Sequence, residues 1–251
     1  MTGAALETKN LNKSFGALVV ARDINFRLEP GARHALIGPN GAGKTTFVNL
    51  LTGVLAPSSG HILLGDKDIT RVSQAERVKL GIARTFQINR LFRGLTVLDN
   101  VYISVAERLG VAPRMWRPAG KRTEVIDEAM QLLRTLKLEP DAGTRISELP
   151  YGRQRLVEIA IALGLNPKVL LLDEPAAGVP TTESHIILDA IDGLPKDIAV
   201  LIIEHDMDVV FRFAKRITVL VSGGILAAGT PPEIANNAEV RAVYLGESVH
   251  V

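Results

Sequence analysis

Apolar residues follow two spacings along this chain, and the spacings alternate. Leu6 to Phe15 alternates loosely and Asp23-Ile24-Asn25-Phe26-Arg27-Leu28 alternates well, which predicts half-exposed strands. Arg33 to Ile37 reads as a further strand and Thr46 to Leu51 as a helix. Pro57-Ser58-Ser59-Gly60 punctuates the chain before a strand at His61 to Leu64 and a turn at Gly65-Asp66. The spacing then becomes helical. Gln74 to Leu80 predicts a short helix and Ile82 to Phe86 a strand. Thr96-Val97-Leu98-Asp99 resembles a capping box with Asp in place of Glu, and opens a helix towards Leu109. Gly110 to Gly120, with the sole tryptophan Trp116, reads as a loop. Helices are predicted over Thr123 to Leu138 and Gly152 to Leu165.

Beyond that helical middle, short continuous apolar runs predict fully buried strands at Val169 to Leu172 and Ile198 to Ile203. Helices at Glu183 to Ile191 and Met207 to Ala214 separate them from a strand at Arg216 to Val221. A return strand at Ile225 to Ala228 follows the Gly223-Gly224 turn. Strand and helix in alternation imply a parallel sheet with crossover helices.

Composition narrows the classes. The 251 residues, 47% hydrophobic and only 4% aromatic, predict one large domain with an aliphatic core. A net charge of +2 is too mild to imply nucleic acid. There is no cysteine, which excludes disulfides, thiolate metal sites and cysteine nucleophiles. The first residues do not read as a signal peptide, and no apolar run approaches the roughly 18 residues of a spanning helix. Any membrane role is therefore expected through partners.

The strongest local signal is Gly38-Pro39-Asn40-Gly41-Ala42-Gly43-Lys44-Thr45-Thr46, which fits the phosphate-loop pattern G-x-x-x-x-G-K-[ST] at every fixed position. A strand before it and a helix after it supply the context the pattern needs. Glycines let the backbone approach an anion, N–H groups point inward, and the helix N-terminus adds partial positive charge. Lys44 is expected to reach the β- and γ-phosphates, and the Thr45 hydroxyl to ligate Mg2+.

Two buried strands end in polar groups, where ligands of such sheets bind. Leu171-Leu172-Asp173-Glu174-Pro175 offers one carboxylate for the Mg2+ shell, Asp173, and one to polarise a water as general base, Glu174. Val200 to Asp206 ends in His205, either a donor to a γ-phosphate or a neutral surface histidine. Gln87 ends a strand, where its amide can contact a metal-bound water or simply be solvated.

The phosphate loop, Gln87, Leu149-Pro150-Tyr151-Gly152-Arg153-Gln154, Leu172-Asp173-Glu174-Pro175 and His205 stand in the order of the ABC-transporter ATPase motifs. Leu149 to Arg153 resembles that family's LSGGQ signature, and Phe15 sits where the family stacks an aromatic ring on adenine. More narrowly, Gly81 to Gln87, Tyr151-Gly152, Glu204-His205-Asp206-Met207 and Val243-Tyr244-Leu245-Gly246 resemble ATP-binding subunits of branched-chain amino-acid importers.

The resemblance implies an α/β fold of the P-loop NTPase, ABC ATPase type: a mainly parallel core sheet with an antiparallel β subdomain and an inserted helical subdomain. It implies one ATPase domain over residues 1–251, with 1–87 and 166–251 as nucleotide-binding core and 88–165 as helical signature subdomain. ATP and Mg2+ are the implied cofactors. The implied partners are a second ATPase subunit in a head-to-tail dimer, transmembrane permease subunits and, indirectly, a solute-binding protein; nucleic acid is not among them. The implied place is the cytoplasmic face of the inner membrane, with Ile88 to Arg93 as candidate permease contact. Pro150, Tyr151, Gly152 and Arg153 would complete the opposite subunit's ATP site. An exporter ATPase shares most of these motifs and is the alternative; a non-transport ABC protein fits less well, because there is one phosphate loop and no heptad run.

Two departures stand out. Pro150 occupies the signature's serine position, with neither hydroxyl nor N–H. The stretch after Glu174 reads Ala177-Gly178-Val179-Pro180, where the family ends in Asp or Asn.

Overall fold

The alternating stretches at the start of the chain pair as an antiparallel sheet in the computed structural model, which describes residues 3–85, 91–111 and 120–246. Strands β1 (Leu6–Phe15), β2 (Leu18–Leu28), β4 (Ser59–Leu64) and β5 (Lys67–Asp68) run in the order β2-β1-β4-β5. Leu6 faces Leu28 on one side and Leu64 on the other, and all three are buried. That register puts the apolar half of each alternation on one face.

Two compact units divide the chain: residues 1–77 with 196–251, and residues 78–195. In the first unit β3 (Arg33–Ile37) lies between β8 (Ala199–Ile203) and β9 (Arg216–Val221), parallel to both. Every residue of β3 and β8 is buried, which is why these runs show no alternation. Strand β10 (Gly224–Gly229) returns antiparallel to β9 across a two-residue turn at Ser222-Gly223, one residue earlier than the expected Gly223-Gly224: Gly224 already pairs with Val221, and Ser222 and Gly223 both take positive φ. Helix α1 (Lys44–Thr52) follows β3 and buries Phe47, Val48, Leu50 and Leu51. The Phe26 ring of β2 meets Phe47 edge-on at 5.4 Å and His34 of β3 at 5.1 Å. His34 is 2% exposed, with Nε2 2.8 Å from the Thr218 hydroxyl. Burial, and secondarily Arg216, lowers its pKa from 6.5 to about 4.

The second unit carries the helices. Thr96 caps α3 (Val97–Arg108) with the expected reciprocal bonds: Asp99 N donates to Thr96 Oγ1 at 3.1 Å and Thr96 N to Asp99 Oδ2 at 3.0 Å. Val97, Val101 and Val105 form one buried stripe against α4 (Gly120–Thr135) and α5 (Tyr151–Gly164). Strands β6 (Ile82–Arg84) and β7 (Val169–Asp173) pair in parallel, and β6 also packs on α5. These contacts group β6, β7 and α6 (Thr181–Asp192) with the helical stretch. Helix α2 (Gln74–Leu80) forms where predicted, and α7 (Met207–Phe213) follows β8.

The apolar spacing missed the chain's last elements, α8 (Pro231–Asn236) and α9 (Ala238–Gly246). The start of α8 was written in the sequence as a capping box, Thr230 with Glu233, and proline at the first helical position. Trp116, Phe86, Gln87 and Ile88 lie outside the described residues. Among the described residues no helix is long and apolar enough to cross a membrane.

Candidate functional site

In the first unit, β3 runs straight into the loop of residues 38–43, and α1 starts at Lys44. Gly38 is buried against β9: a Cβ there would lie 2.1 Å from the Leu220 carbonyl oxygen. Gly43, at φ 100, occupies the N-cap position of α1 in the left-handed region. Ala42 is buried, Pro39 and Thr46 are half-buried, and Asn40, Gly41 and Thr45 face solvent. The Lys44 ammonium folds back over the loop and donates to the Gly38 carbonyl at 2.5 Å and the Pro39 carbonyl at 3.0 Å. The loop thus presents a cation, a hydroxyl and a helix N-terminus together, a combination that binds phosphate.

Phe15 is 49% exposed at the end of the β1–β2 hairpin, and Lys13 Nζ stands 4.9 Å from its ring centroid. His205 is exposed immediately beyond β8, and its backbone N–H donates to Glu204 Oε2 at 3.2 Å. Asp206, next in line, N-caps α7 by accepting from the Asp208 and Val209 backbones. Glu204, named in the sequence only as part of the motif and given no role there, is a 2% exposed carboxylate one residue before His205.

In the second unit, Asp173 closes β7 and pairs with Arg84 from the end of β6: Nη2 donates to Oδ2 at 2.6 Å, with both side chains 12% exposed. Arg84 was not among the expected residues. A lone arginine in a strand carries no signal until the partner strand is known. Glu174 follows at φ 46, left-handed backbone that a residue with a Cβ adopts only under constraint.

The signature stretch opens α5 with Pro150 as N-cap and no side-chain cap bond. Tyr151 is 40% exposed, and its ring packs on Gly178, where a Cβ would sit 3.1 Å from Tyr151 Cε1. Arg153 Nη1 donates to Asp141 Oδ2 at 2.5 Å and to the Lys137 carbonyl at 3.0 Å, so the first turn of α5 is tied to the residues following α4. Pro150, Gly152, Arg153 and Leu156 line an open cleft with Ile186 and Ile187 of α6.

Among the described residues no group of three or more His, Cys, Asp or Glu is placed to hold a metal. The Thr45 hydroxyl in the first unit and the Asp173 carboxylate in the second are each hard oxygen donors of the kind that suits Mg2+, an ion that draws most of its ligands from phosphate and water. Gln87 is outside the described residues.

Residues 21–177 match the family model described as ABC transporter, and residues 225–250 match that of the branched-chain amino acid ATP-binding cassette transporter. The high-affinity branched-chain amino acid transport ATP-binding protein LivG of Escherichia coli K12 is 38% identical, covering 99% of this chain and 100% of that protein. Its counterpart BraF of Pseudomonas aeruginosa is 36% identical over 99% of this chain and 100% of its own length. The crystal structure of the ADP conformation of MJ1267, an ATP-binding cassette of an ABC transporter, superposes with a TM-score of 0.85 at 33% identity, covering 98% of this chain and 100% of that one.

Proposed function

The chain belongs to the ABC transporter ATP-binding family, on its branched-chain amino-acid branch, and from that premise we propose how its residues power an importer. It is the ATPase subunit of an ABC importer; the match over residues 225–250 favours import over export. The transported solutes are branched-chain or other amino acids, or similar small organic acids, as the names of LivG and BraF support.

The observation that carries the assignment of roles is the Lys44 ammonium held over the Gly38 and Pro39 carbonyls at the head of α1. On nucleotide binding it turns to the β- and γ-phosphate oxygens, while backbone N–H groups from Asn40 to Thr46 donate to the remaining phosphate oxygens. Phe15 stacks on adenine. Thr45 and, through water, Asp173 would hold Mg2+, with Gln87 beside a metal-bound water, and the charge such an ion supplies would neutralise the phosphates. Glu174 orients and deprotonates the attacking water, and His205 donates to the γ-phosphate.

In this reading residues 1–251 form one ATPase domain, with 1–87 and 166–251 as nucleotide-binding core and 88–165 as signature subdomain. It works as one half of a head-to-tail dimer, in which Pro150 to Arg153 complete the opposite subunit's ATP site. The dimer sits at the cytoplasmic face of the membrane, held there by permease subunits that touch the segment beginning at Ile88. Purified with its permease, the complex is expected to hydrolyse ATP faster when a solute-binding protein loaded with leucine is added. Equal stimulation by the unloaded binding protein would contradict the substrate class.

A further inference from the structure

Arg77 is the largest fully buried side chain of the described residues, 1% exposed, and its guanidinium meets backbone carbonyls. Nη1 donates to Leu50 O at 2.6 Å and Leu51 O at 2.8 Å, Nη2 to Thr70 O at 3.0 Å, and Nε to Val72 O at 3.0 Å. Burying a cation is costly unless it is hydrogen-bonded, and these four bonds give each of its three nitrogens a partner. Burial lowers the guanidinium's pKa from its usual value, and the Asp68 charge partly offsets this.

The acceptors are not arbitrary. Leu50 and Leu51 belong to the last turn of α1, where carbonyls lack the usual i+4 partners and the helix carries partial negative charge; Leu50 O takes only a long 3.3 Å bond from the C-cap Gly53 N–H. No basic residue of α1 itself stands in that turn. Arg77 supplies the missing charge from outside the helix. The next residue, Gly53, is at φ 78, and a Cβ there would lie 2.9 Å from Arg77 Nε, so the C-cap is shaped to admit the guanidinium.

Thr70 and Val72, the other two acceptors, are fixed to the antiparallel sheet. Ile62 N donates to Thr70 Oγ1 at 2.9 Å, Ile69 N to Ile62 O at 2.8 Å, and Thr70 N to Asp68 Oδ1 at 2.8 Å. Arg77 therefore joins the far end of α1 to that sheet. The near end is Lys44. With nine residues, α1 is a rigid rod only about 13 Å long, so a displacement at its last turn is felt at its first.

We propose that Arg77 is a positioning residue for the phosphate loop: it clamps the C-terminal turn of α1 to the antiparallel sheet and so fixes the direction in which Lys44 and the loop N–H groups meet nucleotide. The proposal rests on the phosphate-loop assignment above. Lysine could not substitute fully, since one ammonium has three donors where the guanidinium offers five in a planar fork.

The test is calorimetric titration with ATP in EDTA and with MgATP, together with amide hydrogen exchange of the unliganded chain. Arg77→Met is expected to bind ATP about tenfold more weakly under both conditions, with exchange at Gly43 to Thr46 accelerated while β9 keeps its protection. Arg77→Lys is expected to recover part of this, to about threefold weaker binding. If Arg77→Met does not fold, the lysine variant decides. Wild-type affinity and wild-type exchange at Gly43 to Thr46 in a folded variant, with only a lowered Tm, would overturn the proposal. Lys44→Ala separates the two readings. If it leaves ATP affinity unchanged, the phosphate-loop assignment fails, and the exchange pattern alone still judges Arg77.

Discussion

Arg84 and Asp173 stand at the ends of neighbouring parallel strands and form a 2.6 Å ion pair with 12% of each side chain exposed. A pair this enclosed is costly to break and cheap to replace. Arg84→Met is expected to destabilise the fold by about 3 kcal/mol, because the Asp173 carboxylate loses its counter-charge in a site with little water. Arg84→Met combined with Asp173→Leu should regain most of that loss, although it would be inactive. Urea unfolding of both variants checks this. Equal midpoints for the single and double variants would mean that the pair is not what holds these strand ends.

Glu174→Gln keeps the side chain's shape and removes its charge. ATP should still bind, hydrolysis should nearly stop, and the assembled complex should retain ATP through gel filtration. Turnover at the wild-type rate would remove Glu174 from the chemistry.

The buried imidazole of His34 sets an acid limit. The folded state holds it neutral down to about pH 4, whereas the unfolded chain protonates it near 6.5. Between those values the unfolded state binds the additional proton, so stability is full above pH 6.5 and falls as pH drops towards 4. The loss from this group alone is about 3 kcal/mol across that window. His34→Gln, measured by urea unfolding through the same window, should show a shallower decline. An unchanged slope would put the acid sensitivity elsewhere.

Pro150 sits at the head of α5 without a capping side chain. Serine there would accept from a first-turn N–H and stabilise the helix by about 1 kcal/mol. In the proposed head-to-tail dimer it would also offer the opposite site a donor, worth about ten- to a hundredfold in rate. If the partner is a different chain with an intact signature, this chain's own site is the faster one, and Pro150→Ser should accelerate only the partner's. Base-knockout variants of each subunit, assayed separately, distinguish the two sites. A gain in Tm without a gain in rate would show that Gly152 N–H already supplies the contact.

Short-range chemistry was legible in the sequence. The apolar runs of β7 and β8 and the Thr96 capping box each depend on neighbours within a few residues, and each forms; the hairpin expected at Gly223-Gly224 forms one residue earlier, at Ser222-Gly223. What stayed hidden were partnerships between distant residues. Arg84 meets Asp173, Arg77 reaches back to Leu50, and Arg153 anchors on Asp141. Arginine is common on surfaces, and nothing local marks the ones that fold inward. The two-residue β5 was equally invisible, being too short to show a period.

The left-handed backbone at Glu174 bears on any attempt to make this cassette hardier. At φ 46 a Cβ costs about 1 kcal/mol, which glycine would relieve and asparagine would lessen. A library sorted for heat resistance alone would therefore enrich for replacements at position 174 and discard the proposed base. Directed evolution of this protein must score turnover alongside survival, or its most robust products will be inert.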